Sequence, residues 1–122
     1  MKNALMIFFL FIVSKFFAQD TIQANQASNF MDKTMFIKGK VVSFKAAKDG
    51  RTTNYLNIDS PYPNAIFTVV LTNRYLNEKS IRIEDLDQKN ICVLGKITTY
   101  KEDPKKIPQV FNPENIVVLI KQ

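Results

Sequence analysis

Residues 33–45 read KTMFIKGKVVSFK, and residues 89–101 read KNICVLGKITTYK. Lysine matches lysine at both ends, Gly39-Lys40 matches Gly95-Lys96, and Phe44 matches Tyr100. In the first segment Met35, Ile37, Gly39, Val41 and Ser43 fall on one side, and Phe36, Lys38, Lys40, Val42 and Phe44 on the other. That is the period of a strand. A glycine inside a long strand marks a bulge or sharp bend, as at a barrel corner. Two copies are too few for a solenoid. The pair therefore reads as two strands with the same mechanical role. Each bends at its glycine and serves two sides of a barrel.

The chain between and around them fills in the other elements. Asp49-Gly50 is a turn signal. Thr52–Asp59 (TTNYLNID) is the second strand, with Leu56 and Ile58 inward and Thr53, Tyr55, Asn57 and Asp59 outward. Ser60–Asn64 (SPYPN) is a proline-stiffened loop, in which Tyr62-Pro63-Asn64 reads as a turn device more than a contact. Ala65–Thr72 (AIFTVVLT) is the third strand, with Phe67, Val69 and Leu71 inward and Thr68 and Val70 outward. Residues 73–88 lack alternation; Ile81, Ile83 and Leu86 form the apolar edge of a short helix or turn, and Glu84, Asp85 and Asp87 its solvated side. The fourth strand, Lys89–Lys101, breaks at Asp103-Pro104. The fifth begins at Ile107–Phe111, is interrupted by Asn112-Pro113 and closes with Asn115–Ile120. Ahead of all five, Ala24, Ala27 and Phe30 or Met31 have helical spacing within Gln23–Met31, with Thr21 placed to cap them. The reading is all-β: a five-stranded Greek-key barrel of the OB type over residues 34–122, behind a segment 19–33 with a short helix, and with a short helix or turn between strands three and four.

The first 18 residues read as an address. Lys2 precedes the ten-residue apolar run ALMIFFLFIV (4–13), and a small residue, Ala18, precedes Gln19. This is the pattern of a secretory signal peptide cut after Ala18, with Phe16 the one unfavourable residue before the cut. A membrane span needs about 20 apolar residues, and the alternative is a retained anchor or buried helix. Export to the periplasm or the exterior is the expectation, with no membrane insertion after processing. Without Lys2 and Lys15 the chain keeps 15 of its 17 basic side chains against 11 acidic ones, a net charge of +4.

Composition excludes several chemistries. The 122 residues suit one domain. There is no histidine, so neither a Ser-His-Asp or Cys-His catalytic set nor a Cys/His zinc site is available. The one cysteine, Cys92, forms no intramolecular disulfide and is expected to be buried as a small hydrophobe. Three glycines build no phosphate loop, and Asp49, Asp59, Asp87, Glu102 and Asp103 form no tight acidic cluster in sequence. No enzyme, cofactor or metal is expected.

Phe36 to Leu119 resembles the OB-fold domains of bacterial extracytoplasmic proteins, some of which are joined to nucleases. The likeness is carried by Ile37-Lys38-Gly39-Lys40-Val41, Tyr55-Leu56-Asn57, Tyr62-Pro63-Asn64 before Phe67-Thr68-Val69-Val70, and Val93-Leu94-Gly95-Lys96-Ile97 leading to Tyr100-Lys101. The helix at Ala24, Ala27 and Met31 suits the same family. Each motif is short, and their order carries the weight. No nuclease part lies in this sequence, so the resemblance brings no activity with it.

OB barrels bind on strands two and three, between the first-second and fourth-fifth loops. Here those loops hold Lys45, Lys48 and Arg51, and Lys101, Lys105 and Lys106. Such a basic rim suits an anionic partner, although loop lysines are as readily just solvated. Between the loops lie Thr53, Tyr55 and Asn57, with Tyr62 and Tyr100 at the edges. Tyr55 can stack a base or sugar ring, or serve as a cross-strand packing residue. The leading expectation is single-stranded nucleic acid on a basic rim and an exposed tyrosine. The alternative is a cell-envelope module that binds protein or oligosaccharide, or is structural. No motif specifies the oligomeric state.

Protein isolated from its native host is expected to begin at Gln19 by intact-mass measurement; a chain still carrying residues 1–18 would contradict the signal-peptide reading.

Overall fold

The computed structural model describes residues 21–120; the expected signal peptide lies outside them. The chain is mostly β. β1 (Thr21–Gln23) leads into a 3-10 helix (Ala24–Phe30) and then the long β2 (Thr34–Lys45). β3 (Thr53–Ile58) and β4 (Thr68–Thr72) follow, then α1 (Asn73–Glu78) and a second 3-10 helix (Ile83–Leu86). β5 (Asn90–Lys96), β6 (Thr98–Thr99), β7 (Pro108–Phe111) and β8 (Asn115–Val118) complete the order. The strands form one sheet in the order β6-β7-β4-β3-β2-β5-β8, with β1 parallel to β2.

The sheet curls because β2 changes partner along its length. Residues 34–40 pair with β5, and residues 41–45 pair with β3. The register slips between Val41 and Ser43. At the changeover Val41 N donates to Lys89 O and Asp59 N to Lys40 O, both at 2.8 Å, while Asp59 Oδ1 accepts from Lys40 N at 2.8 Å. The concave side holds the core: Ile37, Val41, Leu56, Ile58, Phe67, Val69, Leu71, Ile91, Val93, Ile97 and Val110 are all buried. Fully burying one such side chain stabilises by about 1.5–3 kcal/mol, a large share of a small domain's net ~5–15 kcal/mol.

Several expectations change here. The five strands are eight, and two of the pairings, β1 with β2 and β4 with β7, are parallel. The fourth strand is divided at Ile97 into β5 and β6. The fifth is divided at Asn112-Pro113 into β7, beside β4, and β8, beside β5. The third begins at Thr68, not Ala65. Thr21 is in β1 and caps nothing; at that helix start Gln26 Oε1 accepts from Gln23 N at 2.9 Å. Ala24 and Ala27 are buried as their spacing requires. One short helix or turn was expected between β4 and β5; there are two, and the first, α1, is capped by Thr72, whose Oγ1 accepts from Tyr75 N at 3.1 Å. Ile83 and Leu86 are the buried edge of the second 3-10 helix. Cys92 is half-buried, on the convex face between Lys38 and Val117; burial raises its thiol pKa, and Lys38 opposes this.

The two strand glycines act by absence of a side chain. Neither is in the left-handed region. A Cβ on Gly39 would collide with Ile58 Cγ2, and one on Gly95 with Val110 Cγ1. The register slip of β2 lies beyond Gly39, so the glycine permits close approach across the core while the slip makes the turn of the sheet. Gly50 differs: its φ is +81° and nothing lies within 4 Å of its missing Cβ.

Gly39→Val and Gly95→Val are each expected to destabilise by about 1–3 kcal/mol or more through overpacking, and Gly50→Ala by about 1 kcal/mol through its backbone alone. Urea unfolding midpoints test the order; a strand variant as stable as Gly50→Ala would refute the close-approach argument.

Candidate ligand groove

The groove is built by strand parity. Asn54, Leu56 and Ile58 of β3 point into the molecule, so Thr53, Tyr55 and Asn57 point out. Pairing then aligns two rows across the convex face. One is Lys45, Tyr55, Val70 and Phe111; the other is Ser43, Asn57, Thr68, Gln109 and Thr98. The first row is aromatic and apolar, with a cation at one end. The second is wholly polar, and in it Asn57 Nδ2 donates to Ser43 Oγ at 3.0 Å.

Tyr55 is the centre. It lines a hollow of about 580 Å³ with Thr53, Val70, Tyr100, Asp103, Ile107 and Phe111. It also lines a second, of about 640 Å³, with Lys45, Arg51, Asn57, Tyr62 and Ile107. A third, of about 570 Å³, lies under the 45–52 loop and adds Lys48. The rings are accessible: Tyr55 is 39% exposed, Phe111 54%, Tyr100 58% and Tyr62 81%. Val70 faces the groove but is buried, because it forms the floor between Tyr55 and Phe111 in its row.

Both walls are braced by hydrogen bonds. Beneath Tyr55, the buried Asn54 donates from Nδ2 to Leu71 O at 3.0 Å and Asn73 Oδ1 at 2.9 Å, and its Oδ1 accepts from Ala47 N at 2.8 Å. That side chain anchors the 45–52 loop to the β4–α1 junction. On the opposite wall Asp103 accepts from Ile107 N at 3.0 Å and Lys105 N at 2.9 Å. These bonds, chiefly that from Ile107, lower its pKa, so a fixed negative charge stands there. Glu102 accepts from the Tyr100 hydroxyl at 3.1 Å and raises the phenol's pKa, which keeps it protonated.

The structure thus brings Lys45, Arg51, Tyr55, Asn57 and Tyr62 together, with Lys48 next to them and Thr53 and Tyr100 across Tyr55. Lys101, Lys105 and Lys106 are exposed but are absent from these linings. Lys105 Nζ donates to Pro63 O at 2.9 Å, and Lys106 Nζ to Lys101 O at 3.4 Å. Phe111, Ile107 and Gln109 line the groove without having been singled out, and Asp103, whose charge the sequence already set against the basic rim, lines it with them. Phe111 was legible: Val110 is buried, and the next residue on a strand faces the other way. Among the described residues no three carboxylates or thiols gather where a metal ion would be held.

No family model and no curated protein matches the chain. Solved structures do. OBody AM3L15 bound to hen egg-white lysozyme superposes with a TM-score of 0.60 at 14% identity, over 85% of this chain and 92% of that one. OBody AM1L10 bound to hen egg-white lysozyme gives 0.57 at 16% identity, over 84% and 96%. The fold is OB-like. A protein assigned as an aspartyl-tRNA synthetase, from Leishmania major Friedlin, gives 0.56 at 10% identity, over 86% of this chain and 21% of that one, so this chain spans about a fifth of its length. At such identities the likeness concerns fold alone.

Because the folded-state pKa of Asp103 is depressed, its bonds to the loop are present above the ordinary aspartate range and are lost as pH falls through the lowered value. The amide signals of Lys105 and Ile107 are expected to shift together with the Asp103 carboxyl in an NMR titration, below the midpoint of an unstructured aspartate. A midpoint at or above that reference would contradict the arrangement.

Proposed function

We propose that this chain is an exported binding module, not an enzyme, whose convex groove takes a single strand of nucleic acid. We also read its eight strands as the five bent strands of an OB Greek-key barrel. β5 and β6 are separated by Ile97 alone, and β6 returns to β7, whose other neighbour is β4. That reading joins β2, β3, β4, β7 and β5–β6 in a ring.

The observation that carries the functional reading is the row Lys45, Tyr55, Val70, Phe111. Two accessible rings on a rigid apolar floor offer stacking surfaces for unpaired bases, each worth roughly 1–3 kcal/mol. Lys45, with Arg51 and Lys48 beyond it, supplies charge for phosphates at the same end. The polar row of Asn57, Thr68 and Gln109 offers donors and acceptors to base edges or sugar hydroxyls. A second reading, an oligosaccharide, is favoured by Asp103: a carboxylate on the groove wall repels phosphate and accepts from sugar hydroxyls.

Titration of the purified protein with fluorescent single-stranded DNA at two salt concentrations separates the two. Nucleic-acid binding weakens with salt, by about 0.7 log units per log of salt for each phosphate contacted; sugar binding does not. Arg51→Ala and Lys45→Ala are expected to weaken binding and reduce that slope by about one contact each. Tyr55→Ala and Phe111→Ala are expected to weaken it by roughly 1–3 kcal/mol at an unchanged slope. Lys105→Ala and Lys106→Ala, outside the lining, are expected to matter little. Absence of binding by the wild type at low salt would sink the nucleic-acid reading and leave the glycan one.

A further inference from the structure

The sheet's terminal strands are treated unequally. β6 has two residues, and β1 has three, with Thr21 and Gln23 facing out. β8 ends the strand order beside β5, and β8 with the two residues after it, NIVVLI from Asn115 to Ile120, holds no charge, glycine or proline. Val117, Val118 and Leu119 are 36–47% exposed and Ile120 is 89% exposed. Edge strands are ordinarily blunted by a charge, a proline, a bulge or brevity. β8 is short, at four residues, but has no charge, proline or bulge, and the uncharged Leu119 and Ile120 follow it.

Its main chain is also poised to pair. Val117 lies opposite Cys92, and Leu119 N donates to Asn90 O at 2.8 Å. In an antiparallel ladder the bonding direction alternates. Val117 and Leu119 therefore bond to β5, and Ile116 and Val118 turn their N–H and C=O groups to the other side, where among the described residues no strand pairs with them. A strand that is itself uncharged and apolar on both faces suits that edge, because it sets apolar side chains against apolar ones.

We propose that it is β8 of a second copy of this chain, antiparallel about a two-fold axis at Val117. Ile116 then exchanges main-chain hydrogen bonds with Val118 of the other copy. The two Val117 side chains meet across the axis, and Leu119 lies opposite Asn115. No like charges face each other, and β-branched side chains pack on one another, the favourable cross-strand combination. The groove lies on β3, β4, β7 and the end of β2 that pairs with β3, not the end that pairs with β5, so both copies keep it open. One strand edge is a small interface, of the kind that gives weak, reversible association.

The test is sedimentation of protein purified from cells expressing the full chain, with reductant present so that Cys92 forms no disulfide, from about 1 µM to 1 mM. A monomer-dimer equilibrium is expected, and a monomer throughout overturns the proposal. Val117→Lys sets two ammonium groups opposite each other and is expected to leave a monomer with an unchanged melting temperature. A second arm does not depend on that variant folding. With Cys92→Ser as background, Val117→Cys is expected to give a disulfide-linked dimer on mild oxidation, since directly opposed residues in a non-hydrogen-bonded pair sit about 4.5 Å apart, within disulfide reach. Asn115→Cys in that background is not. A dimer that survives Val117→Lys, or that cross-links through position 115 as readily as through 117, would show that another surface pairs.

Discussion

One close approach organises this molecule: β2 passes so near Ile58 that no side chain fits at Gly39. With that clearance, β2 serves β5 along its first half and, past its register slip, β3 along its second, and the sheet curls instead of lying flat. The same condition recurs where Gly95 meets Val110, which brings β7 in toward β5. The two matching segments of the sequence are thus two places where the sheet packs on itself too closely for a side chain. Everything on the convex face, including the alignment of Lys45, Tyr55, Val70 and Phe111, follows from the registers that this curl sets.

Much of this was legible, and the exceptions have physical causes. Alternation alone placed Leu56 and Ile58 inside and Tyr55 outside, because burial of one strand face leaves no second register. The Gly-Lys repeat marked the special positions, but a sequence does not distinguish a glycine needed for a bend from one needed for clearance; that depends on Ile58 and Val110, which are remote in the chain. α1 is six residues long and buries only Tyr75 and Leu76, too few for a visible period, and its cap, Thr72, looked like the end of a strand. Val70 has outward parity, yet its neighbours in the row on either side are aromatic, and it is buried as floor. The lysines of the 100–107 loop show the limit most plainly. Their presence at the groove's edge could be read, but the direction of their side chains depends on how Asp103 winds the loop.

That winding changes the electrostatic character of the site. A basic rim on both sides was the expectation; instead the cations that line it, Lys45, Lys48 and Arg51, sit at the 45–52 side. Asp103 and the Glu102–Tyr100 pair stand on the other wall. A ligand in the proposed groove meets cations on one side of Tyr55 and, on the other, a carboxylate close enough to Lys105 and Lys106 to feel their charge. Such an arrangement favours a ligand that places its anionic backbone at the 45–52 side and its neutral rings and hydroxyls toward Asp103.

The parallel pairing of β4 with β7 also bears on how the groove comes into being. Tyr55 and Val70 lie on strands joined by the nine-residue connection 59–67, whereas Phe111 reaches its place only after β7 docks on β4 across residues 73–107. Closing the longer loop costs roughly 1 kcal/mol more in chain entropy, and non-local pairings of this kind slow folding. Chain entropy therefore ranks the two halves of the floor: the hairpin that presents Tyr55 is the easier to form, and the strand that presents Phe111 is the harder. Loosening of β7 would take away one stacking surface and the 100–107 wall together, while the lysine-bearing side stayed in place. Affinity and local unfolding are in that way tied to the same strand.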